Sequence, residues 1–393
     1  MNSAMRTSLN SAPHRSSGFS LIEVMVGLMI GMLAVIAIMQ VFAGAEGNKR
    51  TTTGGDDAQI SGTIALYGLE RDIREAGFGI NSFNLLGCSL SYKTTADDAS
   101  VTLDALAPVI INPPITVVPA GDAKTDTLLV FFGSPDGPTE GDLMSTTPSA
   151  GSYPVTTPDS FAVNDFVIAQ PATRPATCAL TLGKVTAKAA STLTVTPGDA
   201  TGLTLGSVVF NLGRTLNIRA YAIRKGNLTM CDYSVNNCGD TAYITTLNSD
   251  VWVPVATNIV SLRAQYGKDT SGISTSQMTG VVDSFNQITP GTKDDESGLA
   301  VQCGWGRTLA VRLALVSRNV QYDKLEPTTA APVWAGTTVT TASPVNATAL
   351  TIDLSGDTDW THYRYKTLQT TVPIRNVLWQ DSQTALKGGA SAC

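Results

Sequence analysis

The alternation of apolar and polar positions changes character along this chain, and each change predicts an element. Residues 24–45 carry no charge, and Gln40 is their one strongly polar side chain. At the rise of an α-helix that run is roughly 33 Å long, enough to cross a hydrocarbon core of about 30 Å. It is apolar on every side, as a lipid-facing helix must be. A weaker stretch follows, with Gly44, Gly47, Gly54, Gly55, Gly62 and the run Thr51-Thr52-Thr53. Each glycine costs about 1 kcal/mol of helix relative to Ala, so the middle is expected to fray, bend or melt. Leu66, Leu69, Ile73 and Ala76 then recur at helical spacing, a stripe that should dock on a folded head. Arg71, Asp72 and Arg74 lie between them and read as a solvated face with ordinary ion pairs. Gly77-Phe78-Gly79 supplies the stop.

Past Phe78 the period shortens to that of strands. The pattern predicts them at 127–132, 163–169, 208–210 and 216–224, and inside 251–266 either two more or one broken by Pro254 and Asn258. Leu309, Val311, Leu313 and Leu315 alternate within a strand at 308–316, and a late strand pair is expected in 363–378 around Pro373. Segments 133–160, 268–299 and 325–358 are rich in Thr, Ser, Pro, Gly and Asp and read as loops or edge decoration. The fold class is α+β: a long N-terminal helix, membrane-spanning in its first half, packed on a large antiparallel β-sheet head.

Ahead of the span, residues 1–18 hold Arg6, His14 and Arg15 and no acid. A secretory signal places its apolar core before the cut; here the apolar segment follows Gly18 and would stay with the mature chain. The basic flank puts residues 1–18 in the cytoplasm and the bulk of the chain outside. Lys49 and Arg50 oppose that orientation weakly and Glu46 offsets them in part. At the junction stands Gly18-Phe19-Ser20-Leu21-Ile22-Glu23. Glycine suits a protease that must approach the backbone closely. Glu23 is a lone carboxylate at the mouth of the span. A central acid costs on the order of 3 kcal/mol and an interfacial one less, so Glu23 asks for a partner.

The basic leader, the Gly18-Phe19 junction, Glu23 and the following span together resemble the class III leader of type IV prepilins and type II secretion pseudopilins. The resemblance implies cleavage between Gly18 and Phe19 by a prepilin peptidase and N-methylation of Phe19. It also implies that Glu23 pairs with the N-terminal amine of a neighbouring subunit during assembly. Arg71-Asp72-Ile73-Arg74 before Ala76-Gly77-Phe78 is similar to the segment after the span in PilW-type minor pilins. Two later blocks are similar as well: Val260-Ser261-Leu262-Arg263-Ala264-Gln265-Tyr266-Gly267 and Thr371-Val372-Pro373-Ile374-Arg375-Asn376. The implied organisation is pilin-like. A cleaved leader occupies 1–18, a transmembrane or filament-core helix 19–45, and its docking continuation 46–77. A β-rich periplasmic or extracellular head follows at 78–381 and a flexible tail at 382–393.

The implied function is that of a minor pilin, joining other minor pilins in an initiation or tip complex that promotes pilus biogenesis and adhesion or motility. Its expected partners are those pilins, a tip adhesin, the prepilin peptidase, and the inner membrane before assembly at the cell surface. A J-like minor pseudopilin of type II secretion would share the leader. A membrane-tethered exported binding module or enzyme would share the span.

Charge and cysteines narrow the rest. Lys and Arg number 26 against 32 Asp and Glu, and loss of Arg6 and Arg15 widens the deficit. Such acidity argues against a broad nucleic-acid grip, and Arg364-Tyr365-Lys366 reads as a strand edge. Six cysteines in an exported chain (Cys88, Cys178, Cys231, Cys238, Cys303 and Cys393) suggest disulfides. Cys231 and Cys238 form the best local pair, since Asn236-Asn237 favours a returning turn. No P-loop, H-E-x-x-H or G-x-S-x-G motif is present, and His362, read as a strand residue, is the only histidine left after the leader. No enzyme activity, cofactor or metal is expected; Asp353, Asp357 and Asp359 read as a polar turn rather than a calcium loop.

Overall fold

A computed structural model describes residues 18–80, 82–93, 100–138, 140–240, 242–245, 250–271, 278–291, 299–337 and 350–376. The leader up to residue 17 and the 382–393 tail lie outside these. The chain divides into two compact units, 1–53 and 54–393.

One helix, α1 (Leu21–Glu75, 55 residues), contributes to both units. The glycine- and threonine-rich middle, expected to fray, is helical throughout. From residue 54 onward the reason is a buried stripe. Gly54, Ala58, Gly62, Ala65, Leu69, Ile73 and Ala76 recur every three or four positions and all are buried. Small residues at the start of the stripe let the helix approach the head closely. A Cβ on Gly62 would overlap Leu368 Cδ1 and stand 3.0 Å from Ser317 Oγ; one on Gly54 would stand 3.2 Å from Asn319 Nδ2. Packing offsets poor propensity here, as tertiary contacts commonly do. Gly77, at φ +81°, turns the chain out of the helix and donates its N–H to Phe131 O at 2.8 Å. Asn376 Nδ2 donates to Glu75 O and Ala76 O at 3.1 and 3.0 Å, satisfying two of the helix's last carbonyls.

The head's strands run in chain order as follows. The first five are β1 (Ser89–Tyr92), β2 (Val101–Leu103), β3 (Val109–Ile111), β4 (Leu128–Phe132) and β5 (Asp142–Leu143). Then come β6 (Ser152–Pro154), β7 (Phe166–Gln170), β8 (Ala179–Lys188), β9 (Thr192–Thr196), β10 (Val208–Gly213) and β11 (Asn217–Arg224). Last are β12 (Asn227–Asp232), β13 (Val253–Ala256), β14 (Ile259–Lys268), β15 (Ser284–Asn286), β16 (Thr308–Arg318) and β17 (Tyr365–Pro373). They form three sheets rather than one. The largest has the path β2-β1-β8-β7-β10-β5, with β9 on β8 and β6 on β9; the second is β13-β12-β11-β4-β3; the third is β15-β14-β16-β17. All five residues of β4 are buried, and Leu69, Ile73 and Ala76 join them in one core.

Pairing is antiparallel among the described strands except between β1 and β8, which run parallel with Ser89 opposite Ala179. The residues just before those two are Cys88 and Cys178, and they are disulfide-bonded. A parallel pair cannot set its register through a tight turn. Here a covalent bond at the strand ends sets it. Cys231, on β12, is bonded to Cys238 across a turn of seven residues' separation. Cys303 is also disulfide-bonded.

Two expectations at the C-terminal end change. The late strand pair is a single strand, β17, which stops at Pro373. Proline removes a ladder donor, and Asn376 is already committed to the helix end. His362 lies in a single 3-10 turn, Trp360–His362, not in a strand. Of the segments read as loops, 133–160 contains β5 and β6, and 268–299 contains β15.

Two stability measurements test this packing on the full chain in detergent. Gly62→Val should lower unfolding stability by about 1–3 kcal/mol through overpacking, whereas Gly55→Ala, with open space around its Cβ, should raise it by about 0.5–1 kcal/mol. Replacing Cys88 and Cys178 by Ser should cost roughly 4–5 kcal/mol, since their separation is 90 residues, against roughly 2–3 kcal/mol for Cys231 and Cys238. Chemical denaturation midpoints read both.

Candidate processing and assembly site

Gly18, Phe19 and Ser20 precede the first helical residue and are exposed. Ser20 O accepts the N–H of Glu23 at 2.9 Å and of Val24 at 3.2 Å, so the helix opens on Ser20. Ser20 and Glu23 stand at capping-box spacing, a local helix-start signal beside the processing motif. Among the described residues nothing covers the junction: Phe19 is 82% exposed.

Glu23 lies in the first turn of α1, where unpaired N–H groups and the helix dipole favour a negative charge. Its side chain is exposed and makes no hydrogen bond or ion pair among the described residues. Behind it, every residue of Leu21–Gly47 is exposed. The arrangement is an apolar rod, uncovered on all sides, with one unpaired anion at its tip. Such a rod is stable in hydrocarbon or among other apolar helices, and its anion is stable in those surroundings only beside a cation.

The head end of the same helix is fixed differently. Asp72, expected on a solvated face, is 1% exposed. Arg219 Nη1 donates to Asp72 Oδ2 at 2.7 Å, and the Tyr221 hydroxyl donates to the same oxygen. Both donors come from β11, two residues apart and so on one face of the sheet. Arg71 Nη2 approaches the other oxygen at 3.5 Å. The Arg219 guanidinium also lies 5.4 Å from the centre of the Phe132 ring. Burial, and then the Asp72 carboxylate, push the Tyr221 phenol well above its ordinary value, which keeps the donated proton in place. Arg71 and Arg74 behave as the sequence suggested: both are exposed, and Arg74 pairs with Glu70 one turn earlier. The missed signal was Arg219-Ala220-Tyr221, an alternation that places a cation and a phenol on one strand face.

A second buried carboxylate joins two sheets. Asp126 accepts from Arg263 Nη1 and Ala264 N, both at 2.9 Å, from Gln287 Nε2 at 2.6 Å and from Asn112 Nδ2 at 3.1 Å. Burial pushes its carboxyl up from the ordinary range while Arg263, the Ala264 N–H, Asn112 and Gln287 pull it back.

His362 is held in place rather than presented. Its Nδ1 is 2.9 Å from Asp323 O, its Nε2 is 3.9 Å from Glu326 Oε1, and its ring stacks on Tyr322. Asp357 pairs with Arg318 at 2.7 Å and accepts the Asp359 N–H; Asp353 accepts the Ser355 N–H. These are the bonds of a polar turn.

The family model described as Type IV Pilus-assembly protein W matches residues 221–376, and that of the Prokaryotic N-terminal methylation motif matches residues 13–39. The first match spans β12 to β17, and the second contains Gly18, Phe19 and Glu23. No curated protein and no solved structure matches the chain.

The buried carboxylate is open to direct test. Asp72→Ala should destabilise the full chain by about 2–4 kcal/mol, because it takes the carboxylate from the half-buried Arg219 and the acceptor from the buried Tyr221 hydroxyl, and Tyr221→Phe by about 1.5–3 kcal/mol. Since the phenol titrates higher folded than unfolded, its contribution is complete below about pH 10 and is lost as the pH rises further. Urea midpoints measured across that pH range, with Tyr221→Phe as control, check both.

Proposed function

With the chain a PilW-type pilin carrying a class III leader, we propose that it acts as a minor pilin. It joins other minor pilins in the complex that starts a type IV pilus or forms its tip. The carrying observation is the single unpaired Glu23 carboxylate on a helix whose apolar surface is uncovered from Leu21 to Gly47. Both features are costly alone and are relieved together by lateral packing against like helices. Cutting after Gly18 creates a positive α-amine at Phe19. In the assembled bundle Glu23 of one subunit meets that amine on its neighbour. In low dielectric a misplaced charge costs several kcal/mol, so the pair acts as a register check on docking.

In this reading residues 1–18 face the cytoplasm before cleavage, and the head stands in the periplasm and then at the cell surface. A head of this size would crowd a closely packed shaft, which favours a rare or terminal position. The head works by contact, with other pilins and a tip adhesin, and not by catalysis. His362 supports this, since a backbone carbonyl and a stacked ring hold it in place.

Incubation of the precursor with prepilin peptidase should give a new N-terminus at Phe19, read by N-terminal sequencing. Glu23→Ala should leave that cleavage intact and lower incorporation into pili at least tenfold, measured by immunoblot of sheared filaments. Normal incorporation of Glu23→Ala would defeat the register check. An uncut leader would favour a simple membrane tether.

A further inference from the structure

The three sheets expose edges of very unequal length. The outer strands β2, β3, β5, β6, β13 and β15 have two to four residues each, and β13 is interrupted by Pro254. β17 has nine residues. It pairs with β16 in unbroken register from Ala310 opposite Pro373 to Arg318 opposite Tyr365, with no bulge. Among the described residues no strand pairs with its other edge, and Gln369 Oε1 accepts the Ala335 N–H at 3.0 Å.

The hydrogen-bonding parity of this strand follows from its two ends. Ile374 N donates to Leu309 O, and Asn319 N donates to Arg364 O. Even-numbered residues therefore turn their N–H and C=O groups toward β16, because bonded and non-bonded pairs alternate. Tyr365, Thr367, Gln369 and Thr371 turn theirs outward. Among the described residues, none of these four makes a backbone hydrogen bond on that side. Gln369 and Thr371 are exposed. Soluble proteins normally blunt such an edge with proline, a bulge, charge or brevity. Between Thr367 and Val372 this one has none of these devices.

We propose that the free edge of β17 is a strand-addition site, filled on assembly by an extended segment of a different subunit of the same pilus. This rests on the pilin reading above and names the contact through which the head meets its neighbour. Four outward residues offer up to eight main-chain hydrogen-bonding groups, which supply affinity irrespective of side chain. Charge narrows the partner. Lys366 and Arg375 flank the neutral stretch, both are exposed, and neither makes an ion pair among the described residues. From Arg364 to Asn376 there is no acid. A second copy of the strand thus brings no carboxylate to balance them. The fitting partner is a neutral, β-branched strand with an acidic residue at each end.

Residue-resolved hydrogen exchange on the full processed chain tests this, comparing the chain alone in detergent with pili purified from the host. The outward amides of Tyr365, Thr367, Gln369 and Thr371 should exchange quickly in the isolated chain and at least 100-fold more slowly in pili. The inward amides should be protected in both. Thr371→Pro removes an outward donor and leaves the β16 ladder intact; it should still be cut at Phe19 but enter pili at least tenfold less. Lys366→Glu with Arg375→Glu, a surface change that leaves the ladder alone, should reduce entry similarly. Fast outward amides in correctly processed, assembled material would overturn the edge proposal and leave the pilin reading standing. So would wild-type entry of both variants. Protection of the edge in a dimer of the isolated chain would also overturn it, in favour of self-pairing. An uncut leader would overturn the pilin reading and this one with it.

Discussion

Asp72 sits where a carboxylate cannot be left alone, and meeting that requirement ties the head to its helix. Hydrophobic contacts from Leu69, Ile73 and Ala76 favour burial of one helix face, but apolar packing is non-directional and tolerates sliding. The charge does not. It reaches Arg219 and Tyr221 in one rotation and one axial position of the helix. A buried ion pair adds little net stability over an apolar substitute, while a broken one is strongly unfavourable. Its contribution is therefore to select one docking geometry. The small residues of the stripe then let the helix approach Ser317 and Leu368.

The parts of the chain legible in its sequence are those whose physics is local. The span declares itself because an uncharged apolar run needs no tertiary information. Strands β4 and β16 were legible because burial on both faces, or a strict alternation, leaves a dense apolar record. β8 and β9 were not. Their Thr- and Lys-bearing sequences, Ala179–Lys188 and Thr192–Thr196, bury one face only and resemble the loops around them. The division into three sheets rests on pairings between distant segments, which composition does not record. Asp72 misled for a related reason: on a helix between Arg71 and Ile73 it has the ordinary appearance of a surface acid, and its partners lie 147 and 149 residues away. The same distance hid the role of Asn376.

Disulfides and carboxylates divide the work of joining distant segments. Cys88–Cys178 holds the one parallel pairing among the described strands, which no hairpin could align. Asp126 joins the second and third sheets through a side chain that accepts from strand and loop alike. Each device stands where sequence separation makes a local solution impossible.

The hold of Asn376 on the carbonyls of Glu75 and Ala76 has a consequence in time. These groups are separated by about 300 residues of chain. At a synthesis rate of roughly 5–20 residues per second, the ribosome needs on the order of 15–60 s to span them. Throughout that interval the end of α1 has been made while the asparagine that completes it does not yet exist. Translation thus sets the order of events: the last turn of α1 is completed only once Asn376 has been made, long after the helix itself.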